Sequence, residues 1–182
     1  MGSPLITLHV AASLDGFIAR PDDTVSWLEG PEDVYPAGKS FADVDFAEVL
    51  ASIDAYVMGS RTYEHALQLG WPYGDTPVLV LTSRELNSER ESVEFHAGDL
   101  DTFVAEVLAP RFGSVWLVGG AELCQAFLKT GRVDRLLLTV APVTLGGGLR
   151  LFGDDDAERR WRLEDVTAFQ NGFVELTYAA EG

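Results

Sequence analysis

The stretch that decides the fold is Val115-Trp116-Leu117-Val118-Gly119-Gly120-Ala121-Glu122-Leu123. Its first four residues are a short apolar run typical of a buried strand, and the segment after the two glycines has helical spacing of apolar residues. A helix N-terminus presents unpaired backbone N–H groups and a partial positive charge, and glycine lets a ligand approach the backbone without meeting a Cβ atom. The stretch therefore predicts a strand–turn–helix unit that binds a diphosphate, although a plain tight turn has the same pattern.

Strand-like and helix-like segments alternate on both sides of this turn. Strands are expected over 5–12, 55–58, 77–82, 115–118 and 133–140. Helices are expected over 46–53, over 62–69, over 100–108 after the N-cap Asp99, and before the C-cap Gly131. Asn171-Gly172 lies between two extended segments and is a strong hairpin signal. The order predicts a three-layer α/β fold, with a mainly parallel central sheet flanked by helices and an antiparallel C-terminal hairpin.

The composition restricts the class of protein. A length of 182 residues suits one domain over 1–182. The net charge of -16 argues against a nucleic-acid partner, and it means that an anionic ligand must be held by local donors. No apolar stretch approaches the roughly 20 residues of a membrane span, so no membrane partner is expected. The single cysteine, Cys124, excludes an internal disulfide and favours a cytoplasmic location.

Two further strand ends carry groups that suit a phosphate. In Tyr56-Val57-Met58-Gly59-Ser60-Arg61-Thr62-Tyr63-Glu64, a glycine again separates a strand from a helix, and the hydroxyls of Ser60 and Thr62 flank Arg61. Arginine grips a phosphate with two donors, although Ser60 or Thr62 is equally interpreted as an ordinary helix N-cap. Leu81-Thr82-Ser83-Arg84 ends the next strand. Because ligands of α/β sheets lie beyond the carboxyl ends of the strands, these ends and Gly119-Gly120 together predict a site for one elongated anion.

The remaining reactive residue types have less specific interpretations. His9, His65 and His96 are scattered without metal-ligand spacing, so no metal is expected and each is interpreted as structural. Cys124 lies among apolar residues and is interpreted as part of the core rather than as a nucleophile. The acidic run 154–156 is interpreted as a solvated loop.

Four stretches of the chain resemble the dihydrofolate reductase-like superfamily, in its branch of the C-terminal reductase domain of the bifunctional riboflavin-biosynthesis deaminase-reductase. They follow the order of that family along nearly the whole chain. They are Ala12-Ser13-Leu14-Asp15-Gly16-Phe17-Ile18-Ala19, Val57-Met58-Gly59-Ser60-Arg61-Thr62-Tyr63-Glu64, Val118-Gly119-Gly120-Ala121-Glu122-Leu123, and Pro142-Val143-Thr144-Leu145-Gly146-Gly147-Gly148 with Leu151-Phe152. The resemblance implies an NADPH-dependent reductase that acts on a small molecule and forms a homodimer.

The resemblance also implies roles for individual residues. The phosphates of NADPH would be held by Gly59, Arg61 and Thr62, with Ser60 beside them, and Ser83 and Arg84 after Thr82 would meet the 2′-phosphate and adenosine. The diphosphate would be cradled by the residues from Val118 onward, namely Gly119, Gly120, Ala121, Glu122 and Leu123. The nicotinamide would be bordered by Ala11, Ile18 and Ala19.

The substrate side is less defined. The resemblance places a catalytic carboxylate at Asp43, fifteen positions before Met58, or at Asp45, and a carboxyl in an apolar cleft has a raised pKa that suits proton donation. Asp43 is also interpreted as an acid that stabilises a helix N-terminus. Trp27, Tyr35 and Phe41 lie in or beside a long irregular segment and are expected to wall the substrate.

Three functions agree with these features. The first is an NADPH-dependent reductase of a small heterocyclic or carbonyl substrate. The second is the 5-amino-6-(5-phosphoribosylamino)uracil reductase of riboflavin biosynthesis. However, the segment 20–40 contains only Arg20 and Lys39 as basic residues, and no clamp for a substrate phosphate is evident in it. The third is a dinucleotide-binding sensor without catalysis.

Overall fold

The computed structural model describes residues 2–30, 32–153 and 158–181. The acidic run 154–156 lies outside these residues. The strands are β1 (Leu5–Ser13), β2 (Phe17–Ala19), β3 (Ala55–Gly59), β4 (Val78–Leu81), β5 (Val93–His96), β6 (Ser114–Gly119), β7 (Arg135–Ala141), β8 (Leu149–Arg150), β9 (Trp161–Ala168) and β10 (Val174–Ala180). The helices are α1 (Phe46–Ala51), α2 (Ser60–Gln68), α3 (Leu100–Thr102), which continues as a π-helical segment (Phe103–Leu108), and α4 (Ala121–Lys129). Short 3₁₀ turns occupy Ser26–Leu28 and Phe41–Asp43.

The strands of the described residues form an eight-stranded sheet in the order β5-β4-β3-β6-β1-β7-β10-β9. The first six of these strands pair in parallel, and β10 runs antiparallel to both β7 and β9. The expected sheet and its antiparallel C-terminal strand pair are therefore confirmed. Because the parallel strands share one direction, their carboxyl ends lie along one edge of the sheet.

Each face of the sheet is covered by different helices. Side chains of alternate residues, such as Leu8, Val57 and Leu117, pack with α4 and the Phe103–Leu108 segment, and we call this side the α4 face. Cys124 of α4 is fully buried there, and burial raises the pKa of its thiol to about 12. The other residues, such as Tyr56, Met58 and Trp116, form the α2 face, where Tyr63 and Ala66 of α2 cover them.

A third cluster continues the α2 face beyond the helix. Trp27, Ala141, Phe169 and Phe173 are buried together, with Ala11 packed against them. The long loop before α1 is fixed to this end of the sheet, since the N–H groups of Val34 and Tyr35 both donate to the Gln170 carbonyl. The loop therefore covers the β7–β10 side of the α2 face, and α2 covers the β3–β4 side.

Some local features differ from the sequence-based expectations. The connection between β9 and β10 is longer than a two-residue Asn-Gly turn, because only Gly172 in it has a positive φ, of 81°. Strand β5 and the small β2–β8 sheet were not expected. The N-cap Asp99 is confirmed, since its carboxylate accepts a hydrogen bond from the Thr102 N–H at 2.9 Å. No helix among the described residues is long and apolar enough to cross a membrane.

Candidate functional site

Two glycine turns lie side by side at the carboxyl edge of the sheet. Strands β3 and β6 are neighbours, with Met58 opposite Gly119, so the turn that starts α2 and the turn that starts α4 are adjacent. The N–H of Gly120 donates to the Thr62 hydroxyl oxygen at 2.8 Å. Thr62 is therefore a bridge between the two turns, and α2 has Gly59 as its N-cap without a side-chain cap. The alternative interpretation of Ser60 or Thr62 as an ordinary N-cap is wrong.

The backbone of the second turn is open to a ligand. Gly119 has a φ of 143°, a conformation that side-chain-bearing residues rarely adopt. A Cβ atom at Gly120 would meet no protein atom closer than the Thr62 hydroxyl oxygen, at 3.5 Å. The first intrahelical bond of α4 runs from the Cys124 N–H to the Gly120 carbonyl. The amides before Cys124 therefore have no partner within the helix and suit an anion. They are the N–H groups of Ala121, Glu122 and Leu123.

The neighbouring strand end places an arginine beside α2. Strand β4 adjoins β3, so Thr82, Ser83 and Arg84 lie next to the start of α2. The guanidinium of Arg84 binds both carboxylate oxygens of Glu64, at 3.0 and 2.6 Å. This hydrogen-bonded pair, with the added charge of Arg61, lowers the pKa of Glu64. The arginine predicted to hold a 2′-phosphate is thus already engaged by a carboxylate at the protein surface.

A carboxylate ties together the loops at the next strand end. Asp15 accepts hydrogen bonds from the Ser13 hydroxyl at 2.6 Å, the Leu145 N–H at 3.0 Å and the Gly146 N–H at 2.7 Å. These bonds, the one from Ser13 foremost, lower the pKa of Asp15 from 3.8 to about 2. The turn between β1 and β2 is therefore fastened to the loop 142–148.

The residues expected around the nicotinamide lie on two elements near this fastening, with Ile18 packed against the α4-face cluster and Ala11 against the Trp27 cluster. Ile18 and Ala19 belong to β2, which pairs with β8, and Ala11 lies in the neighbouring strand β1. Gly148 packs so closely on β2 that a Cβ atom there would collide with the Ala19 carbonyl oxygen. The ends of β4, β3 and β6 thus carry the groups proposed for the phosphates, and β1 with the adjoining β2 carries those proposed for the nicotinamide. Three strand spacings separate β4 from β1, about 14 Å.

The three aromatic residues proposed for the substrate have different environments. Trp27 is 7% exposed within the cluster that includes Ala11, and its indole N–H is buried without a hydrogen-bond partner among the described residues. Buried donors of this kind usually have a partner, so the Trp27 N–H fits a site that a ligand completes. Phe41 stacks on Phe169 with ring centroids 4.3 Å apart, while Tyr35 is 48% exposed.

The two acids proposed for catalysis lie at the surface. Asp43 ends the 3₁₀ turn before α1, Asp45 follows it, and both residues are exposed. The apolar surroundings that would suit a proton-donating carboxyl are therefore not provided at either position. The assignment of Asp43 or Asp45 stays a prediction.

A histidine and a glutamate that sequence reasoning did not connect meet on the α2 face. The Nε2 atom of His9 lies 3.4 Å from Oε2 of Glu175, and the imidazole stacks on Trp116 with ring centroids 4.7 Å apart. The Thr139 hydroxyl donates to the same Glu175 oxygen at 3.3 Å. The two partners come from opposite ends of the chain. The only signal in the sequence is that His9 and Ala11 share one face of a predicted strand.

Comparison with known proteins places these features in a family. The chain matches the RibD C-terminal domain over residues 4–175. It is 32% identical over 173 residues to the uncharacterized protein YwjB of Bacillus subtilis, covering 94% of this chain and 95% of YwjB. It is 27% identical over 185 residues to the riboflavin biosynthesis protein RibD of Mycobacterium tuberculosis, covering 91% of this chain and 51% of RibD.

Solved structures agree with the topology. A protein of Shewanella sp. PV-4 assigned to riboflavin biosynthesis superimposes with a TM-score of 0.82 at 26% identity, covering 98% of this chain and 99% of that one. Dihydrofolate reductase of Enterococcus faecalis, solved with NADP(H), superimposes with a TM-score of 0.65 at 17% identity, covering 98% and 97%. The fold is therefore dihydrofolate reductase-like, and the chain belongs to the RibD C-terminal domain family.

Proposed function

We propose that this protein is an NADPH-dependent reductase that transfers hydride to a small heterocyclic or carbonyl substrate. The observation that carries the proposal is the pair of glycine turns joined by the Gly120–Thr62 hydrogen bond, at the carboxyl edge of a dihydrofolate reductase-like sheet. Membership in the RibD C-terminal domain family supports it, because RibD of Mycobacterium tuberculosis, 27% identical to this chain, is named a riboflavin biosynthesis protein.

The residues present fit the cofactor. The amides that begin α4 would bind the diphosphate, and Arg61 and Arg84 would bind the 2′-phosphate. Ala11, Ile18 and Ala19 would border the nicotinamide and keep water from it, while the Asp15 fastening holds their loops in place. When bound, NADPH supplies the hydride, which a protein side chain cannot do.

Gly120→Val tests the diphosphate site. The new side chain is expected to weaken both NADPH and NADH by at least about tenfold, because losing one charge-assisted hydrogen bond alone costs about 1.5–3 kcal/mol. Quenching of tryptophan fluorescence measures both affinities, and circular dichroism checks that the fold persists. Gly30→Val is the matched control, since no atom lies within 4 Å of its Cβ position. If the folded Gly120→Val protein binds NADPH with normal affinity, the diphosphate does not bind at this turn.

Reduction of 5-amino-6-(5-phosphoribosylamino)uracil is the second candidate function, favoured by membership in the RibD C-terminal domain family. The two reductase functions and the non-catalytic sensor are separated by one assay. Loss of the reduced-nicotinamide absorbance is followed with this pyrimidine, with pterins and with aldehydes. Turnover of the pyrimidine supports the riboflavin reaction, turnover of another compound supports the broader reductase, and NADPH binding without any turnover supports the sensor.

A further inference from the structure

We infer that His9 is the proton donor to the substrate, with Glu175 as the residue that positions it. The inference rests on the proposed reductase function, since it assigns the acid of that same reaction. It replaces the exposed Asp43 and Asp45 with a pair on the sheet face where the nicotinamide is expected.

The register of three strands places the pair beside the expected nicotinamide. Ala11 of β1 lies opposite Thr139 of β7, and Thr139 lies opposite Glu175 of β10, so the three residues form one row across the α2 face. His9 precedes Ala11 by two residues and therefore points to the same face, about 7 Å along the strand. A substrate next to a nicotinamide over Ala11 would lie over Thr139, Glu175 and His9.

The environment of the pair suits a group that exchanges protons. The side chains of His9 and Glu175 are 25% and 27% exposed, so they are shielded yet reachable from solvent. Trp116 fixes the plane of the imidazole by stacking on it. The contact with His9, more than the bond from Thr139 or the charge of Lys39, lowers the pKa of Glu175 and keeps it ionised, although burial opposes this. Glu175 from β10 is thus the charged group in contact with His9, and the charge of Lys39 from the long loop acts on Glu175.

The geometry leaves one ring nitrogen for the substrate. Nε2 faces Glu175, and Nδ1 has no hydrogen-bond partner among the described residues. Both ring nitrogens of an imidazolium are donors, so Nε2 can face Glu175 while Nδ1 faces the substrate. As the substrate carbon accepts hydride, the electron pair of its C=N or C=O bond moves to the heteroatom, which takes a proton from Nδ1. The neutral imidazole then regains a proton from solvent, and the Glu175 carboxylate stays ionised throughout.

His9→Gln and Glu175→Gln test the two roles, with the exposed His65→Gln as control. We expect His9→Gln to lower kcat about 100-fold or more while NADPH affinity stays within twofold of wild type. Glu175→Gln keeps an oxygen for the Thr139 hydroxyl. It should lower kcat less than His9→Gln does and leave the KM for NADPH unchanged, because the amide still contacts the imidazole but lacks the carboxylate charge that holds it in position.

A second readout does not depend on turnover. The protein has only three histidines, so ring-labelled protein gives three imidazole signals that the variants assign. Adding 5-amino-6-(5-phosphoribosylamino)uracil, or whichever compound is turned over, to the NADP⁺ complex should shift the His9 signal and leave His65 unmoved.

The outcomes distinguish a failure of the His9 assignment from a failure of the proposed reductase function. If His9→Gln keeps the turnover of the wild type, the assignment of His9 alone is overturned. The same follows if the His9 signal does not shift when substrate binds. Equal losses of NADPH affinity and turnover in His9→Gln would show a structural role and overturn it too. A wild-type chain that binds no NADPH, or binds it without turnover, would overturn the proposed function and this inference together.

Discussion

At the scale of single residues, Arg84 has two possible partners. It is now bound by both oxygens of Glu64, and the 2′-phosphate of NADPH would need the same guanidinium donors. Both side chains are about half exposed, so the pair contributes little to stability and is open to exchange. At the proposed site, Glu64 would therefore compete with NADPH for Arg84.

Glu64→Gln should tighten the binding of NADPH by a few-fold and leave NADH unchanged. Removing the carboxylate frees the Arg84 guanidinium and also takes away a negative charge near the 2′-phosphate, which only NADPH has. Titrations of both nucleotides, followed by tryptophan fluorescence, measure the ratio. Glu94→Gln is the control, because it removes a similar pair in which the Arg111 guanidinium binds both carboxylate oxygens of Glu94. Equal changes for NADPH and NADH would show that Arg84 does not meet the 2′-phosphate.

A residue of the site can be predicted from the sequence when its partners are close to it along the chain. Gly119 and Gly120 are recognisable because the strand and helix that they join are contiguous with them. The Thr62–Gly120 bridge spans 58 positions, and the His9–Glu175 contact joins β1 to β10, so neither follows from local spacing. Only the register of the folded sheet makes these partners neighbours.

At the scale of elements, buried strands and two-turn helices were predictable, and short or edge elements were not. Strands β1, β3, β4, β6 and β7 are runs rich in aliphatic residues with at least one buried face, which gives a strong signal. Strand β5 has half-buried residues throughout, and β2 and β8 exist only because they pair with each other. Their formation depends on contacts distant in the chain.

The Asp15 fastening between the β1–β2 turn and the loop 142–148 should be sensitive to acid. Because the pKa of Asp15 falls from 3.8 to about 2 on folding, its contribution to stability is complete above pH 3.8 and is lost as the pH falls through about 2. Asp15→Asn should therefore be less stable than wild type near neutral pH, with the difference narrowing below pH 3.8. Urea unfolding of both proteins across this range measures it. A difference that stays constant with pH would contradict the ionic role of Asp15.

At the scale of the whole molecule, net charge sets the conditions under which the site must work. A charge of -16 would repel a polyanionic cofactor, so the proposed binding of NADPH would rely on the local donors of α4, Arg61 and Arg84. The chain spans about half the length of Mycobacterium tuberculosis RibD, with 51% of that protein covered. One domain over 1–182 and a homodimer stay predictions, and light scattering would test the second.

Because Cys124 is buried, its labelling can report how often the core around α4 opens. The chain has one thiol, it is fully buried, and its raised pKa of about 12 leaves it unreactive while the core is closed. A thiol reagent should therefore label it only when the core around α4 opens, so the labelling rate measures how often that happens. If NADPH binds as proposed, a saturating concentration should slow labelling by the factor that its affinity sets, because α4 begins at the turn proposed to bind the diphosphate. Rapid labelling that NADPH leaves unchanged would show that α4 opens independently of that turn.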